Sequence, residues 1–241
     1  MNPYELMAFQ NSTALAQTAA TAWLEEVEKA GRTGKPYCVA LSGGRIAQDF
    51  FTAVAEMAGH RSARFEGVHF FWTDERCVPP TDSESNYRVA RELLFEPLTI
   101  PGRQIHRVCG EDSPAASAET VTADLCRLAA KDAQGRPVMD MIFLGLGEDG
   151  HVASLFPGEP EALAASPAIY RAISNSPKPP PNRVTLGYAA IASARKVWML
   201  ASGKGKEAPL RASLSPGGTT PFARVLQARR DTRIFTDVLA W

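Results

Sequence analysis

The chain has 241 residues, which fits one large α/β domain or two small ones, and 45% of the residues are apolar, as in a globular protein with a sizeable core. Lysine plus arginine and aspartate plus glutamate both number 26, so the formal net charge is zero. This balance argues against nucleic acid or an anionic membrane as the main partner, while leaving room for a local basic site that holds one small anion. None of the four cysteines belongs to a C-x-x-C pair, and a zinc site is therefore not expected.

The start of the chain and its hydropathy predict a cytoplasmic protein. The first residues lack the basic start and the apolar run of a secretory signal peptide, so a reducing cytosol is the simplest setting for the cysteines. No apolar run reaches the length that a membrane helix needs. We expect no cofactor, no metal and no membrane contact, and a monomer or a weak homodimer.

Predicted helices and strands alternate through the first half of the chain. Residues 12–30 predict a helix, because their apolar side chains fall close to one face and Ser12 or Thr13 can cap its start. The next predicted elements are a buried strand over 37–41, a helix after Arg45, a strand over 67–73, a helix over 86–94 that Ser83 or Ser85 can cap, and a short strand at 104–108.

The same alternation continues in the second half. Ser113 and Pro114 favour a helix start, and Gly135 is expected to end that helix. The next predicted elements are a buried strand over 141–144, a proline-rich loop over 157–182, strands over 183–186 and 196–202, a helix over 207–214, a helix from Thr220 and Pro221, and a strand over 233–237. We therefore predict one domain over residues 1–241, a three-layer Rossmann-like α/β fold with a mostly parallel sheet and helices on both faces.

Residues 139–158 contain the main candidate for catalysis. A buried strand runs into a glycine-rich turn that carries Asp149 and His151. Ligands of open α/β sheets bind at the carboxyl ends of the strands, where a carboxylate can fix the tautomer of a histidine that acts as a general base. The alternative is that His151 is a hydrogen-bonded turn residue without a catalytic role.

Two further turns favour an anion or a charged site at the same edge of the sheet. The strand over 37–41 is followed by Ser42, Gly43, Gly44 and Arg45 and then a helix, an arrangement that presents backbone N–H groups to an anion. The spacing is not that of a dinucleotide fingerprint, and a plain strand-to-helix turn is the competing interpretation.

Charged residues also follow the strand over 67–73. Asp74 and Arg76 come directly after it and point to the same crevice if the strands are parallel. The alternative is that Asp74, Glu75 and Arg76 form a surface ion cluster, which is the usual role of such a charged triplet. His69 and His106 are expected to be structural.

Five stretches together resemble the 6-phosphogluconolactonases. The most specific is residues 145–158, Gly-Leu-Gly-Glu-Asp-Gly-His-Val-Ala-Ser-Leu-Phe-Pro-Gly. Matching positions follow in Trp72-x-Asp-Glu-Arg-x-Val-Pro79, in Pro181-x-Arg-Val-Thr185 and in Gly203-x-x-Lys206. The turn at Ser42 matches least, because Arg45 and Ala47 replace the serine and proline that the family usually carries.

The resemblance implies hydrolysis of 6-phospho-D-glucono-1,5-lactone to 6-phosphogluconate in the oxidative pentose phosphate pathway, without metal or cofactor. His151 would activate water and Asp149 would hold the imidazole. The residues expected to bind the substrate and its phosphate are Ser42, Gly43, Gly44, Arg45, Asp74, Arg76, Arg183 and Lys206. Lys206 also stands at the first turn of a predicted helix, where a cation is unfavourable unless an anion is bound.

Two other functions remain open from the sequence. Glucosamine-6-phosphate deaminases share the fold, but they continue after the histidine with a Phe-Asn-Glu-Pro stretch that supplies an acid for ring opening. Here residues 153–157 read Ala-Ser-Leu-Phe-Pro, and the next glutamate is Glu159. A non-catalytic phosphosugar sensor is the second alternative, although the chain has no basic helix pair for binding DNA.

Overall fold

The computed structural model describes residues 4–61 and 65–238, so the outermost residues of the predicted domain, 1–3 and 239–241, lie outside the described part. The strands are β1 (Tyr4–Ala8), β2 (Tyr37–Leu41), β3 (Val68–Trp72), β4 (Asp74–Arg76), β5 (Ala130–Lys131), β6 (Pro137–Val138), β7 (Met141–Gly145), β8 (Tyr170–Ile173), β9 (Arg183–Leu186), β10 (Lys196–Ala201) and β11 (Thr232–Thr236). The helices are α1 (Ser12–Gly31), α2 (Arg45–Arg61), α3 (Asn86–Ala90), α4 (Pro114–Leu128), α5 (Glu161–Ala164), α6 (Tyr188–Ser193), α7 (Glu207–Leu214) and α8 (Pro221–Ala228).

Six parallel strands of the described chain form the central sheet, in the order β1-β11-β10-β7-β2-β3. β7 lies in the interior of this sheet, and its side chains alternate between the two faces. Met141 and Phe143 enter one hydrophobic core, whereas Ile142 and Leu144 enter the other. A strand buried on both faces needs an uninterrupted apolar run, which explains why residues 141–144 are all apolar.

Helices cover both faces of the central sheet, as predicted. On one face α1, α2 and α3 pack around Trp23, whose ring centroid lies 5.6 Å from that of Phe50 and 5.4 Å from that of Phe143. On the other face α4, α6, α7 and α8 contribute side chains such as Ile191 and Phe222. Full burial of each such side chain stabilises the fold by roughly 1.5–3 kcal/mol. The three-layer α/β architecture is confirmed.

The order in which strands are added to the sheet reverses at β2. β3 lies on one side of β2, and β7, β10 and β11 follow on the other side. The loops after β2 and β7 therefore leave the carboxyl edge in opposite directions and open a crevice between them. The loop after β2 begins at Ser42, and the loop after β7 carries Asp149 and His151.

A second, antiparallel sheet in the order β4-β9-β8 lies beside this crevice. In its register Asp74 is opposite Thr185, and Arg76 is opposite Arg183. The triplet Asp74–Arg76 is therefore a strand that turns away from the central sheet after Thr73, and two of the predicted site segments are neighbours in space.

Several local predictions were wrong for identifiable reasons. Asn11 caps α1, because its side chain accepts a hydrogen bond from the backbone N–H of Ala14 at 2.9 Å, so neither Ser12 nor Thr13 is the cap. Gly135 lies in the β5–β6 turn, and α4 already ends at Leu128. The predicted strand at 104–108 is reduced to a single bridge between Phe70 and Ile105.

Other boundaries also differ from the prediction. The predicted helix over 86–94, capped by Ser85, ends its α-helical part at Ala90 and continues as a π-helical turn over Arg91–Phe95. The loop over 157–182 was expected to hold at most one helical turn; it contains that turn as α5 and also the strand β8, and β1 was not predicted. Among the described residues, no helix is both long and apolar enough to cross a membrane.

Candidate active site

A cleft of about 420 Å³ opens at the carboxyl ends of β2, β7 and β10. Ser42 follows β2, Gly145 ends β7 and Ser202 follows β10, and all three residues line the cleft. This is the crevice at which open α/β sheets bind their ligands.

The cleft gathers the predicted site residues from distant parts of the sequence. Nine of the ten line it directly, namely Ser42, Gly43, Gly44, Arg45, Asp74, Arg76, His151, Arg183 and Lys206. The tenth, Asp149, contacts His151.

The imidazole of His151 is held by the carboxylate of Asp149. Nδ1 of His151 lies 2.5 Å from Oδ1 of Asp149, and the backbone N–H of His151 donates to the same oxygen at 3.3 Å. The ring of Phe156 packs beside the imidazole, with centroids 4.9 Å apart. A neutral imidazole that donates from Nδ1 keeps its lone pair on Nε2, which is the arrangement of a general base.

Burial and charge act in opposite directions on this pair. Burial lowers the pKa of His151 below its ordinary value of 6.5, although the hydrogen bond and the charge of Asp149 work against this shift. Burial alone raises the pKa of Asp149, but the hydrogen bond and the charge of His151 outweigh it and bring that pKa down to about 2. Near neutral pH the pair is therefore a neutral imidazole beside an ionised carboxylate.

The turn that carries the pair depends on glycine at position 147. A β carbon built on Gly147 would lie 2.0 Å from Nδ1 of His151 and 2.6 Å from Oδ1 of Asp149. The backbone N–H of Gly147 donates to the carbonyl oxygen of His151 at 2.8 Å, which closes the turn. Gly150 has a φ of +83°, a conformation that glycine adopts without strain. The glycine spacing therefore brings the backbone against the imidazole.

The turn after β2 forms the cationic side of the cleft. Gly44 has a φ of +100°, and α2 begins at the next residue, Arg45. The amino terminus of a helix attracts anions through its free N–H groups and its dipole. Within the described residues Arg45 has no ion pair with a carboxylate, so its charge is available to a ligand.

Lys206 contributes a second cation to this side. It is the residue before α7, and burial lowers its pKa, as do the nearby charges of Lys178 and Arg45. The acidic side chains of Glu148 and Asp149 oppose that shift. A bound anion would be attracted by these three cations, which makes this side of the cleft suited to a phosphate.

Asp74 and Arg183 form a buried polar group next to His151. Oδ2 of Asp74 accepts a hydrogen bond from Oγ of Ser154 at 2.6 Å and lies 3.8 Å from Nη1 of Arg183. The side chain of Asn86 donates to the backbone oxygen of Asp74 at 2.9 Å. These contacts fix β4 against the loop that follows His151.

Arg76 lies at the cleft mouth and has partners of its own. Its Nη1 donates to the backbone oxygen of Glu84 at 2.6 Å and lies 3.4 Å from Oε2 of the same residue. Arg76 therefore faces the cleft while tied to the loop before α3, and a ligand would compete with Glu84 for it.

Four cleft residues with polar side chains were missing from the predicted site: Asn86, Glu148, Lys178 and Ser202. Glu148 lies within the matched stretch 145–158, and Asn86 directly follows the predicted cap residue Ser85, so both were in view but were not assigned to the site. Lys178 carries only a weak signal, a single lysine among the prolines of the loop.

The fold and the cleft define a class of α/β protein that can hold a small anionic ligand beside a carboxylate-bound histidine. Comparison with known proteins identifies the family. The family model for glucosamine-6-phosphate isomerases and 6-phosphogluconolactonase matches residues 10–235, and the chain belongs to that family.

Relatives named 6-phosphogluconolactonase are similar to much of the chain. That of Mycobacterium tuberculosis is 40% identical over 160 residues, which are 65% of this chain and 64% of the relative. The match therefore spans slightly less than two thirds of the length of the mycobacterial protein. That of Treponema pallidum is 34% identical over 186 residues, covering 76% of this chain and 75% of the relative. Among solved structures, 6-phosphogluconolactonase from Trypanosoma cruzi superposes with a TM-score of 0.83 at 27% identity, covering 96% of this chain and 93% of that one.

Proposed function

We propose that this chain hydrolyses 6-phospho-D-glucono-1,5-lactone to 6-phosphogluconate, the lactonase step of the oxidative pentose phosphate pathway. The observation that carries the proposal is the pairing of His151 with Asp149 at 2.5 Å in a cleft that also holds Arg45 and Lys206. Family membership and the names of the relatives support the same reaction.

In this proposal the phosphate binds among Arg45, Lys206 and the backbone N–H groups of Gly43 and Gly44. A hydrogen bond from a charged donor contributes roughly 1.5–3 kcal/mol. Such contacts would fix the far end of the sugar and leave the lactone carbonyl near His151. Asp74, Arg76 and Arg183 would complete the wall on the other side.

His151 is then the general base. Its Nε2 takes a proton from water as the water oxygen forms a bond to C1 of the lactone. The tetrahedral intermediate collapses when the bond between C1 and the ring oxygen breaks, and the imidazolium returns the proton to that oxygen. Asp149 holds Nδ1 throughout and stabilises the imidazolium. General base catalysis contributes roughly 10²–10⁴-fold to the rate.

One contact argues against the deaminase alternative. The glutamate that follows the histidine loop, Glu159, forms a largely buried ion pair with Arg171 at 2.7 Å and does not line the cleft. It is not available as a ring-opening acid. Lactone hydrolysis needs no such acid, because the carbonyl is already electrophilic.

The test is lactone hydrolysis by the wild type and by His151→Ala, with the spontaneous opening of the lactone subtracted. We expect the variant to keep its melting temperature and its affinity for 6-phosphogluconate, while the enzymatic rate falls by roughly 10²-fold or more. Full activity in His151→Ala would reject the role of the imidazole. Binding of 6-phosphogluconate without turnover by the wild type would instead favour a phosphosugar sensor.

The proposal extends to the setting of the protein. We propose one catalytic domain over residues 1–241 that works in the cytoplasm as a monomer or weak homodimer. All four cysteines are free, which suits a reducing compartment.

A further inference from the structure

Lys178 contacts Asp149 through the carboxylate oxygen that His151 does not use. Its Nζ lies 3.3 Å from Oδ2 of Asp149, while Oδ1 of the same carboxylate contacts the imidazole. The carboxylate thus bridges an ammonium and an imidazole. Lys178 also lines the cleft, so this ammonium belongs to the site and is not a remote surface charge.

The backbone of Lys178 is clamped by Arg183. Nη2 of Arg183 donates to the carbonyl oxygens of Lys178 at 3.2 Å and Pro179 at 2.8 Å, and its Nε donates to that of Pro180 at 3.1 Å. Arg183 is only 4% exposed. Most of the N–H donors of Arg183 therefore hold the segment before β9. Because the guanidinium is buried, these hydrogen bonds fix the position of the Lys178 backbone.

The charges around His151 come from three elements. They are Asp149 on its own loop, Lys178 on the clamped segment and Asp74 on β4. Lys206, next to α7, acts on Asp149 and Lys178 in turn. The two carboxylates raise the pKa of His151, and the ammonium of Lys178 lowers it. An ionised aspartate with no other partner would hold a proton on the imidazole more strongly than one that it shares with an ammonium.

We infer that Lys178 is a positioning residue that acts through Asp149: its ammonium shares the carboxylate with His151 and so keeps the imidazole unprotonated and ready to accept a proton from water. Arg183 supports this role by holding the backbone of Lys178. The inference rests on the proposed function, because the readout of a base is the reaction that uses it.

The experiment compares kcat/KM against pH for the wild type, Lys178→Gln and Lys178→Arg at low ionic strength, since salt screens a partly exposed pair. For Lys178→Gln the acid limb should move to higher pH by roughly half a unit to one unit, a modest shift because the pair is partly solvated. At pH values well below both midpoints this is about a three- to tenfold loss, and the loss should shrink toward alkaline pH. Lys178→Arg should restore the wild-type limb.

The matched control is Lys204→Gln, which removes one exposed lysine outside the cleft lining. It should leave the limb in place. Arg183→Lys should move the limb in the same direction as Lys178→Gln, with its melting temperature measured to establish that it folds. An equal loss at every pH in Lys178→Gln, with no shift of the limb, would overturn the inference.

A second readout separates this inference from the proposed function. The imidazole of His151 is titrated by NMR, with its resonance assigned from His151→Ala. Its pKa should be higher in Lys178→Gln than in the wild type, whether or not the lactone is hydrolysed. An unchanged pKa would defeat the inference even in an active enzyme, whereas an inactive wild type with the expected shift would defeat only the proposed function.

Discussion

Gly147 and His151 approach so closely that a β carbon on the glycine would lie 2.0 Å from Nδ1 of the imidazole. Such a contact is far inside van der Waals distance, so any side chain at position 147 must displace the ring. The absence of a side chain at position 147 therefore leaves the space that the imidazole occupies beside Asp149.

Gly147→Ala should consequently damage turnover more than folding. We expect kcat to fall by roughly tenfold or more, because the displaced imidazole loses its alignment, while KM changes little since the phosphate contacts lie elsewhere. Steady-state kinetics and a thermal melt on the same preparation test this. The matched control is Gly102→Ala, because Gly102 has open space around it and no left-handed φ. Gly158 would serve less well, because its φ is +79°. An equally active Gly147→Ala would contradict the geometry.

The pH dependence of the wild type follows from the surroundings of His151. Burial lowers the pKa of His151 below 6.5. A general base works only when it is unprotonated, so activity should be lost as pH falls through that lowered pKa. The midpoint of the acid limb of kcat/KM should therefore lie below pH 6.5. A midpoint well above this value would mean that the carboxylates outweigh burial.

Asp149→Asn gives a change of opposite sign to that expected for Lys178→Gln. Loss of the carboxylate removes a charge that raises the pKa of His151, so the acid limb should move to lower pH. An amide can also hold the wrong tautomer, and kcat should fall by roughly tenfold or more at every pH. pH profiles of both variants check the pair. Shifts in the same direction would show that Asp149 and Lys178 do not act on His151 as opposing charges.

The strands and the site were predictable to different degrees. The apolar run of β7 and the glycines at 145, 147 and 150 indicate a buried strand and a tight turn by themselves, so the location of His151 followed from local sequence. The antiparallel pairing of β4 with β9 joins segments more than a hundred residues apart, and no local pattern carries it. The position of Lys178 depends on that pairing through Arg183, which is why sequence reasoning treated Arg183 as a ligand contact and missed the lysine.

Glu75, between the cleft residues Asp74 and Arg76, is a buried carboxylate whose titration affects the stability of the fold. Its carboxylate accepts backbone N–H bonds from Asn86 at 2.8 Å and Tyr87 at 2.7 Å, and a hydroxyl bond from Ser85 at 3.1 Å. Burial nevertheless raises the pKa of Glu75 from 4.5 to about 7, and the backbone hydrogen bonds only partly offset this. Between these two values the folded state holds a proton that the unfolded state has released. Stability should therefore fall as pH rises from about 4.5 to 7.

The difference in melting temperature between the wild type and Glu75→Gln isolates this contribution. The glutamine cannot titrate, so the wild type should lose a few degrees relative to the variant between about pH 4.5 and 7. Differential scanning calorimetry across that range measures it. Parallel curves for the two proteins would mean that the hydrogen bonds keep Glu75 ionised throughout.

The cationic side of the cleft should govern affinity and leave the chemical step intact. Arg45 stands at the start of α2 and Lys206 immediately before α7, and both line the cleft. Removing either charge should raise KM by roughly 10–100-fold, the equivalent of about 1.5–3 kcal/mol, while kcat changes much less. Arg45→Gln and Lys206→Gln are the variants.

Inorganic phosphate provides a second measure of the same side. As a competitive inhibitor it should bind the wild type and lose affinity in both variants, and added salt should weaken it because the attraction is electrostatic. Lys204→Gln, which removes an exposed lysine beside the cleft, should match the wild type in both assays. If the two variants kept their KM but lost kcat, Arg45 and Lys206 would act on the reacting carbon, and the orientation of the lactone in the cleft would have to be reversed.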